Sequence, residues 1–162
     1  MALARLQKLE GEMQKCFRCN LCKMIPLPVV RHPDFFDGCP AVRHFNFHAY
    51  SGSGKQIMAL ALLEGRITAD PKLAAVTYAC TTCGNCDVAC KFVMDAERNI
   101  VNMALREHLV DEGLAPEIHQ QTVADLEAHN HPHGRQEVPA GQWAEGLGLK
   151  TVPQEAAEVL LF

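Results

Sequence analysis

The chain has 162 residues and a formal net charge of −4, and 48% of its residues are apolar although only 6% are aromatic. The length suits one domain with an extension, and the prominence of Ala, Leu, Glu and Met predicts a mainly helical fold. The acidic balance argues against a nucleic-acid partner. The longest apolar run, Ile57–Leu63, is far shorter than the ~20 residues of a transmembrane helix.

The amino-terminal segment predicts a helix that leads into a run of cysteines. Leu6, Leu9 and Met13 recur at helical spacing, so Ala2–Gln14 is predicted to be an amphipathic helix. It is followed directly by Cys16–Cys22, which has the pattern Cys-x-x-Cys-x-x-Cys. The first helix is therefore expected to position a ligand loop.

The next segment, Lys23–Ala41, contains four prolines and has no sustained period, so it is predicted to be irregular. The Ser-Gly-Ser-Gly-Lys sequence at 51–55 lacks two residues that a phosphate-binding loop requires. We therefore interpret it as a helix start, with Ser51 or Ser53 capping a helix from about Lys55 to Gly65.

A second cysteine run follows another predicted helix. Asp70 and Pro71 predict a helix start, and the helix runs to about Ala79. It leads into Cys80–Cys90, which has the pattern Cys-x-x-Cys-x-x-Cys-x-x-x-Cys. A single long helix, Val93–Val110, is predicted after this run.

The remaining chain predicts an extension. One helix is expected over about 116–128, and a short helix containing Trp143 is expected to pack against the domain. The apolar end, Ala157–Phe162, is expected to be covered by a partner subunit or to lead into a further domain. These expectations divide the chain into a domain over 1–112 and an extension over 113–162.

The spacing of the cysteines predicts two [4Fe-4S] clusters. Three cysteines in such a run can occupy three corners of one cube, and the fourth ligates the other cluster in two-cluster ferredoxins. The first run has no fourth cysteine, but Cys39 is followed by Pro40, and this pair commonly ends such a run. The candidate ligands are then all eight cysteines: Cys16, Cys19, Cys22, Cys39, Cys80, Cys83, Cys86 and Cys90. Crossed and local closure by Cys39 and Cys90 both stay open at this point.

The charge distribution places positive charge around the first run. Between residues 15 and 55 there are six Lys and Arg against two acids, whereas between 110 and 162 there are nine acids against two basic residues. Positive charge beside a cluster would stabilise its reduced state and raise its potential. A solvated basic loop is the alternative interpretation.

The cysteines and histidines allow other interpretations. Met1–Lys15 is charged and lacks the apolar core of a signal peptide, so a cytoplasmic, reducing location is predicted instead of disulfides. A zinc-stabilised module is an alternative, although zinc uses pairs of cysteines and the run is a triplet. An iron-sulfur redox sensor is another, although no DNA-binding motif is evident. His48 is a candidate extra ligand, and His129–His133 is a candidate zinc or nickel site or a polar loop.

Several segments together resemble the helical ferredoxin module of the heterodisulfide reductase family. They are the two cysteine runs, the Cys39-Pro40 pair, Phe47–Gly52 and Trp143–Lys150. Related modules occur in the iron-sulfur subunits of glycolate and lactate oxidases and, more distantly, in succinate dehydrogenase. The resemblance covers nearly the whole chain and implies an α-helical ferredoxin-like domain with two cluster-binding loops and a C-terminal extension. In longer relatives a segment like Glu158–Phe162 leads into a domain with cysteine-rich repeats.

The resemblance also implies a ligand assignment. By analogy with the crossed ligation of this family, Cys16, Cys19, Cys22 and Cys90 hold one cluster, and Cys80, Cys83, Cys86 and Cys39 hold the other. The displaced position of Cys39 departs from the family pattern, so local closure is the alternative.

The function implied by the resemblance is electron transfer within a complex. The chain would relay single electrons between redox subunits that carry flavin or clusters, and it would not be catalytic by itself. A heterodisulfide reductase-like complex is expected, with a flavin-dependent hydroxyacid oxidase as the alternative. Docking on a membrane-bound partner is compatible with this function.

Overall fold

The computed structural model describes residues 2–24, 32, 36–134 and 141–149. The chain forms two compact units, Met1–Pro116 and Glu117–Phe162. Every regular element in the described ranges is helical, apart from one isolated bridge between Met24 and Asp37. The predicted mainly α fold is therefore confirmed. The apolar end of the chain lies outside the described residues.

The described residues of the first unit form seven α-helices. They are α1 (Ala2–Lys8), α2 (Glu10–Gln14), α3 (Pro40–Phe45), α4 (Gly52–Leu63), α5 (Pro71–Tyr78), α6 (Asn85–Met94) and α7 (Asn99–Asp111). Two 3-10 turns, Leu21–Lys23 and His48–Tyr50, lie in the described connections of this unit. Among the described helices, none is long and apolar enough to cross a membrane.

Helix α7 is the centre of the core, because it packs against α1, α4 and α5. The buried side chains of this core are Leu6, Met13, Ala59, Leu73, Ala74, Val101, Ala104, Leu105 and Leu109. Burying a large aliphatic side chain contributes about 1.5–3 kcal/mol, so these contacts fix the four helices relative to one another. The two cysteine loops follow α2 and α5 and are held by this core.

The amino-terminal helix differs from its prediction at one point. The predicted helix Ala2–Gln14 is divided at Leu9, where the backbone leaves helical geometry with φ −96° and ψ 4°. The predicted apolar face is confirmed, since Leu6 and Met13 are fully buried and Leu9 packs against the core.

The predicted helix caps are confirmed. The Ser51 hydroxyl accepts a hydrogen bond from the N–H of Gly54 over 3.0 Å, so α4 begins at Gly52, earlier than predicted. The Asp70 carboxylate accepts from the N–H of Leu73 over 2.7 Å, and Pro71 occupies the first turn of α5. The helix that leads to the second cysteine run therefore starts where the sequence indicates.

The predicted continuous helix Val93–Val110 is wrong. Helix α6 ends at Met94, where Asp95 has a left-handed φ of 46°, and α7 begins only at Asn99. The break is stabilised by Asp87, whose carboxylate Oδ1 accepts from the N–H groups of Arg98 and Asn99. A carboxylate on α6 thereby caps the start of α7, and the connection buries Arg98.

The second unit contains α8 (Glu117–His129), which matches the predicted helix. No side chain of α8 is buried. Trp143 lies in a 3-10 turn, Gln142–Ala144, and is 67% exposed. Its packing against the domain stays a prediction.

Candidate metal centre

The two cysteine loops share one backbone pattern. In each loop the second and fourth residues after the first cysteine have positive φ: Arg18 (58°) and Asn20 (70°), and Thr82 (53°) and Gly84 (76°). Three of these four are not glycine, and left-handed backbone is uncommon for such residues. Left-handed residues in a turn direct successive N–H groups into an anion-binding concavity. The loops are therefore suited to the same kind of anionic ligand.

The first loop presents its cysteines at three depths. Cys16 is half-buried, Cys19 is exposed and Cys22 is buried. The N–H of Ser53 lies 3.3 Å from Cys22 Sγ, so the first turn of α4 donates to this sulfur. The positive end of a helix dipole favours negative charge there. His48 Nε2 lies 3.1 Å from the Ser53 hydroxyl, and so His48 reaches the ligand loop through Ser53.

The proline-containing excursion returns Cys39 to the ligand loops. The N–H groups of Gly38 and Cys39 donate to the carbonyl of Lys23 over 2.9 and 3.2 Å. The side chain of Asn85 fills the space that a Cβ on Gly38 would occupy. Cys39 is thus held between the end of the first loop and the start of α6.

One cavity brings Cys39 together with the second loop. Its empty volume is about 430 Å³, which includes space open to solvent. Five cysteines line it: Cys22, Cys39, Cys80, Cys83 and Cys86. Four of them are the set that the resemblance assigns to a single cluster.

Cys90 lies with the first loop. It is buried, it is not part of the cavity wall, and α6 packs against the 3-10 turn that carries Cys22. Burial raises the pKa of the Cys90 thiol, the hydrogen bond and charge of Arg98 oppose that shift, and the neighbouring Cys22 and Cys16 add to it. Cys90 is therefore close enough for the charges of two first-loop cysteines to change its pKa.

A single glycine separates the two groups of cysteines. A Cβ built on Gly52 would stand 2.8 Å from Cys86 Cβ and 3.3 Å from Cys22 Cβ. The first is closer than real Cβ atoms approach. The start of α4 consequently fits between the loops only because residue 52 has no side chain.

Burial makes the thiols difficult to ionise without a metal. The pKa of Cys86 is raised to about 12, first by burial and then by the charges of Asp87, Cys80, Cys22 and Cys83. Metal binding releases the thiol protons. Such a group of buried thiols is stabilised when iron takes up the thiolates.

Buried cations and hydrogen-bond donors surround the cysteines. Lys55 is 2% exposed and Arg98 is 1% exposed, and both line the cavity. Among the described residues, three buried donors in this wall have no hydrogen-bond partner: Asn85 Nδ2, Asn102 Nδ2 and Arg98 Nη2. Unsatisfied buried donors require an acceptor, and a cluster whose sulfurs accept hydrogen bonds supplies one. The residues present therefore fit an anionic iron-sulfur cluster.

The arrangement does not suit a single metal ion. Within the described ranges no three His, Cys, Asp or Glu side chains are positioned to hold one ion. This holds for the tract His129–His133, where the rings of His131 and His133 stand 5.6 Å apart. In a [4Fe-4S] cluster the four irons share four thiolates, so the sulfurs surround a cube instead of converging on one ion.

Sequence reasoning missed the polar residues behind the ligands. Lys55 is counted in the sequence only as part of a helix start and as one of six basic residues over 15–55, not as a buried group behind the ligands. Arg98 and Asn102 fall within the predicted long helix and have no role there. These residues could have been found from one sequence signal, a charged or amide residue on the inward side of an otherwise apolar helix. Asn102 is 2% exposed beside the fully buried Val101, so this signal was present in α7.

The comparisons with known proteins agree with this geometry. A family model described as 4Fe-4S dicluster domain matches residues 12–93, which include both cysteine loops and Cys39. Neither the curated proteins nor the solved structures gave a match. Eight cysteines supply the eight thiolates of two cubes, and the chain accordingly binds two [4Fe-4S] clusters and serves in electron transfer. The match spans half of the chain, and the protein belongs to the family of 4Fe-4S dicluster domains.

Proposed function

We propose that this chain is the electron-transfer subunit of a heterodisulfide reductase-like oxidoreductase complex. The observation that carries the proposal is the placement of the two ligand loops on either side of Gly52, with Cys22 and Cys86 in contact range of the same point. Bound clusters take up and release single electrons. Two clusters held on either side of one glycine would provide a path for electrons through the chain.

The ligand assignment we propose is crossed. Cys39, Cys80, Cys83 and Cys86 line one cavity, which supports their holding one cluster together. Cys90 is absent from that cavity wall, and burial and then the charges of Cys22 and Cys16 raise the pKa of its thiol. These observations support a second ligand set, Cys16, Cys19, Cys22 and Cys90. The alternative, local closure, would require Cys39 to leave the cavity that it shares with the second loop.

The burial of the cysteines supports an electron path that enters at the surface, passes through the interior and leaves at the surface again. Cys19 and Cys83 are the exposed cysteines of their loops, whereas Cys22 and Cys86 lie on the inner sides next to Gly52. Each ligand set therefore has one edge that a partner can approach and one edge that faces the other set. The partners of this type are redox subunits that carry flavin or clusters.

The chain's own residues hold the site and compensate its charge. The N–H of Ser53 donates to Cys22 Sγ, and the N–H of Thr82 lies 3.4 Å from Cys80 Sγ. Hydrogen bonds to the sulfurs tune the potential of an iron-sulfur site. Lys55, which donates to the carbonyl of Tyr50, holds a buried ammonium group in the same wall.

We assign the second unit, beginning near α8, to contact with partner subunits. The helix has no buried side chain, and Ile118, Val123 and Leu126 are all exposed. Apolar side chains left in water on one helix gain free energy when a partner covers them.

The first experiment determines the cofactor content. The chain is purified without oxygen, iron and acid-labile sulfide are assayed, and EPR spectra are recorded after dithionite reduction. About eight irons and eight sulfides per chain, with interacting S = 1/2 signals, are expected for two neighbouring cubes. A single isolated signal with about four irons would overturn the relay.

A second experiment identifies the complex. The tagged chain is isolated anaerobically with its partners, and the assembly is assayed for viologen-dependent reduction of a thiol heterodisulfide and for dye-coupled oxidation of glycolate or lactate. Heterodisulfide reduction is expected. Hydroxyacid oxidation without it would assign the chain to the flavin-dependent oxidases instead.

A further inference from the structure

Arg98 is a buried cation in direct contact with a candidate cluster ligand. It is 1% exposed, and its Nε donates to Cys90 Sγ over 3.2 Å. Its Nη1 donates to the main-chain carbonyl of Glu12 over 2.9 Å and lies 3.4 Å from Gln56 Oε1. Three elements, α2, α4 and α6, thereby hold one guanidinium group in a fixed position.

The charge of this guanidinium has no carboxylate partner in the described part of the chain. The nearest acid contacts involve other atoms: Glu12 accepts through its main-chain oxygen, and Asp87 accepts from the main-chain N–H of Arg98. Nη2 is buried and has no hydrogen-bond partner among the described residues. The hydrogen bond from Lys15 and, more weakly, the charge of Arg98 lower the pKa of Glu12, but this carboxylate forms no ion pair with the guanidinium. A buried cation without an ion-pair partner is expensive, so an anion beside Arg98 would stabilise the site.

The position of Arg98 identifies that anion. The Arg98 side chain contacts Cys90, and Arg98 also lines the cavity shared by Cys39 and the second loop. The guanidinium therefore lies at the boundary between the two groups of cysteines. A cation there interacts more strongly with a reduced cluster than with an oxidised one, since reduction adds a negative charge.

We propose that Arg98 is a positioning residue that holds Cys90 in its ligating orientation and raises the potential of the cluster that Cys90 serves. The inference deepens the proposed relay and rests on it, because it takes Cys90 as a ligand. The cluster served by Cys90 is the one that Arg98 makes easier to reduce.

The test is an EPR-monitored redox titration of the anaerobically purified full chain and three variants. Arg98→Gln removes the charge, Arg98→Lys keeps it but loses the planar fork, and Arg66→Gln is a matched control on an exposed ion pair with Glu64. Iron content and thermal unfolding are measured for each. In Arg98→Gln the reduction equilibrium of one cluster is expected to fall at least about tenfold, which is about 59 mV for one electron. In Arg98→Lys the potential of that cluster should fall less, and in Arg66→Gln both potentials should match those of the wild type.

A further variant covers the case in which Arg98→Gln does not assemble. Gln56→Glu keeps Arg98 and the size of the side chain but places a carboxylate where Oε1 now meets Nη1. It also loses the hydrogen bond from Gln56 Nε2 to the Arg98 carbonyl, so its thermal unfolding is measured as well. It should lower the potential of the same cluster. A merely structural Arg98 would lower iron content and thermal stability while the assembled clusters keep wild-type potentials, and unchanged potentials in Gln56→Glu and in the assembled Arg98 variants would overturn the proposal.

The effect of Arg98 on the potential can be tested separately from the crossed assignment of Cys90. Cys90→Ser, titrated in parallel, identifies the cluster that Cys90 serves by the EPR signal it alters. If that signal is the one also altered by Cys83→Ser, crossed ligation is wrong, yet Arg98→Gln should still shift that same signal. If Arg98→Gln and Gln56→Glu shift only the signal that Cys90→Ser leaves unaltered, the proposal for Arg98 fails while the relay stands.

Discussion

The N–H of Ser53 donates to the Sγ of Cys22 over 3.3 Å, and this bond joins the first turn of α4 to the first ligand loop. Its neighbour Gly52 lies against Cys86 as well. The amino-terminal end of one helix thus approaches cysteines from both loops, which places a positive helix end where two anionic clusters bind.

Gly52→Ala is predicted to impair assembly of the clusters on both sides of this glycine. The new methyl group would stand 2.8 Å from Cys86 Cβ and 3.3 Å from Cys22 Cβ. Both are Cβ atoms bonded directly to the backbone, so the contact cannot be relieved by turning the end of a long side chain. Iron content should fall to roughly half of the wild-type value or less, because metal binding and folding of such loops are coupled. Iron and sulfide assays after anaerobic purification measure it.

Gly11→Ala is the matched control for that substitution. Nothing lies within 4 Å of the Cβ position at Gly11, which is exposed in α2. Alanine there should leave iron content unchanged and stabilise the fold by at most about 1 kcal/mol. Equal iron content in Gly52→Ala and Gly11→Ala would show that the close contact at Gly52 does not limit assembly.

Lys55→Met is predicted to lower the potential of the cluster in the 430 Å³ cavity. Burial lowers the pKa of Lys55, whereas the thiolates of Cys80, Cys39 and Cys86 favour its charged form. Removing the ammonium group leaves the added electron of the reduced cluster uncompensated. A redox titration followed by EPR should show one signal shifted to lower potential.

The control for Lys55→Met is Lys72→Met, because Lys72 is exposed on α5. It removes the same charge without changing the buried site and should leave both potentials unaltered. Equal shifts in the two variants would mean that net charge, and not the buried cation, determines the potential.

Cysteine spacing was enough to predict two clusters and to propose their ligand loops, but not the groups behind them. Cysteine spacing defines a ligand loop locally, because residues within Cys80–Cys86 are close in the chain, and caps such as Asp70 act over three residues. Cys39 and Lys23 meet only after an excursion that no local pattern specifies. The break between α6 and α7 depends on a carboxylate eleven residues away from Arg98, so periodicity alone extended one helix through it.

Asp87→Ala is predicted to destabilise the start of α7. The Oδ1 of Asp87 accepts from the N–H groups of Arg98 and Asn99, which act as the first donors of that helix. Loss of such a cap costs about 0.5–2 kcal/mol, and the loss should be measurable by thermal or urea unfolding of the anaerobic protein.

Asp87→Asn separates the cap from the charge. The amide oxygen still accepts, so the loss of stability should be less than in Asp87→Ala, whereas removal of a carboxylate one residue from Cys86 should raise the cluster potential in both variants. If the two variants lose the same free energy of unfolding, the hydrogen bonds to α7 are not what Asp87 contributes.

Serine substitutions of Cys39 and Cys90 are predicted to alter different EPR signals. In the crossed assignment Cys39→Ser changes the signal also changed by Cys83→Ser, because both residues line one cavity. Cys90→Ser changes the signal also changed by Cys19→Ser. Serine keeps an oxygen in place of each sulfur, so an altered signal is expected instead of complete loss. If Cys39→Ser groups with Cys19→Ser, and Cys90→Ser groups with Cys83→Ser, each loop closes its own cluster and the crossed assignment is wrong.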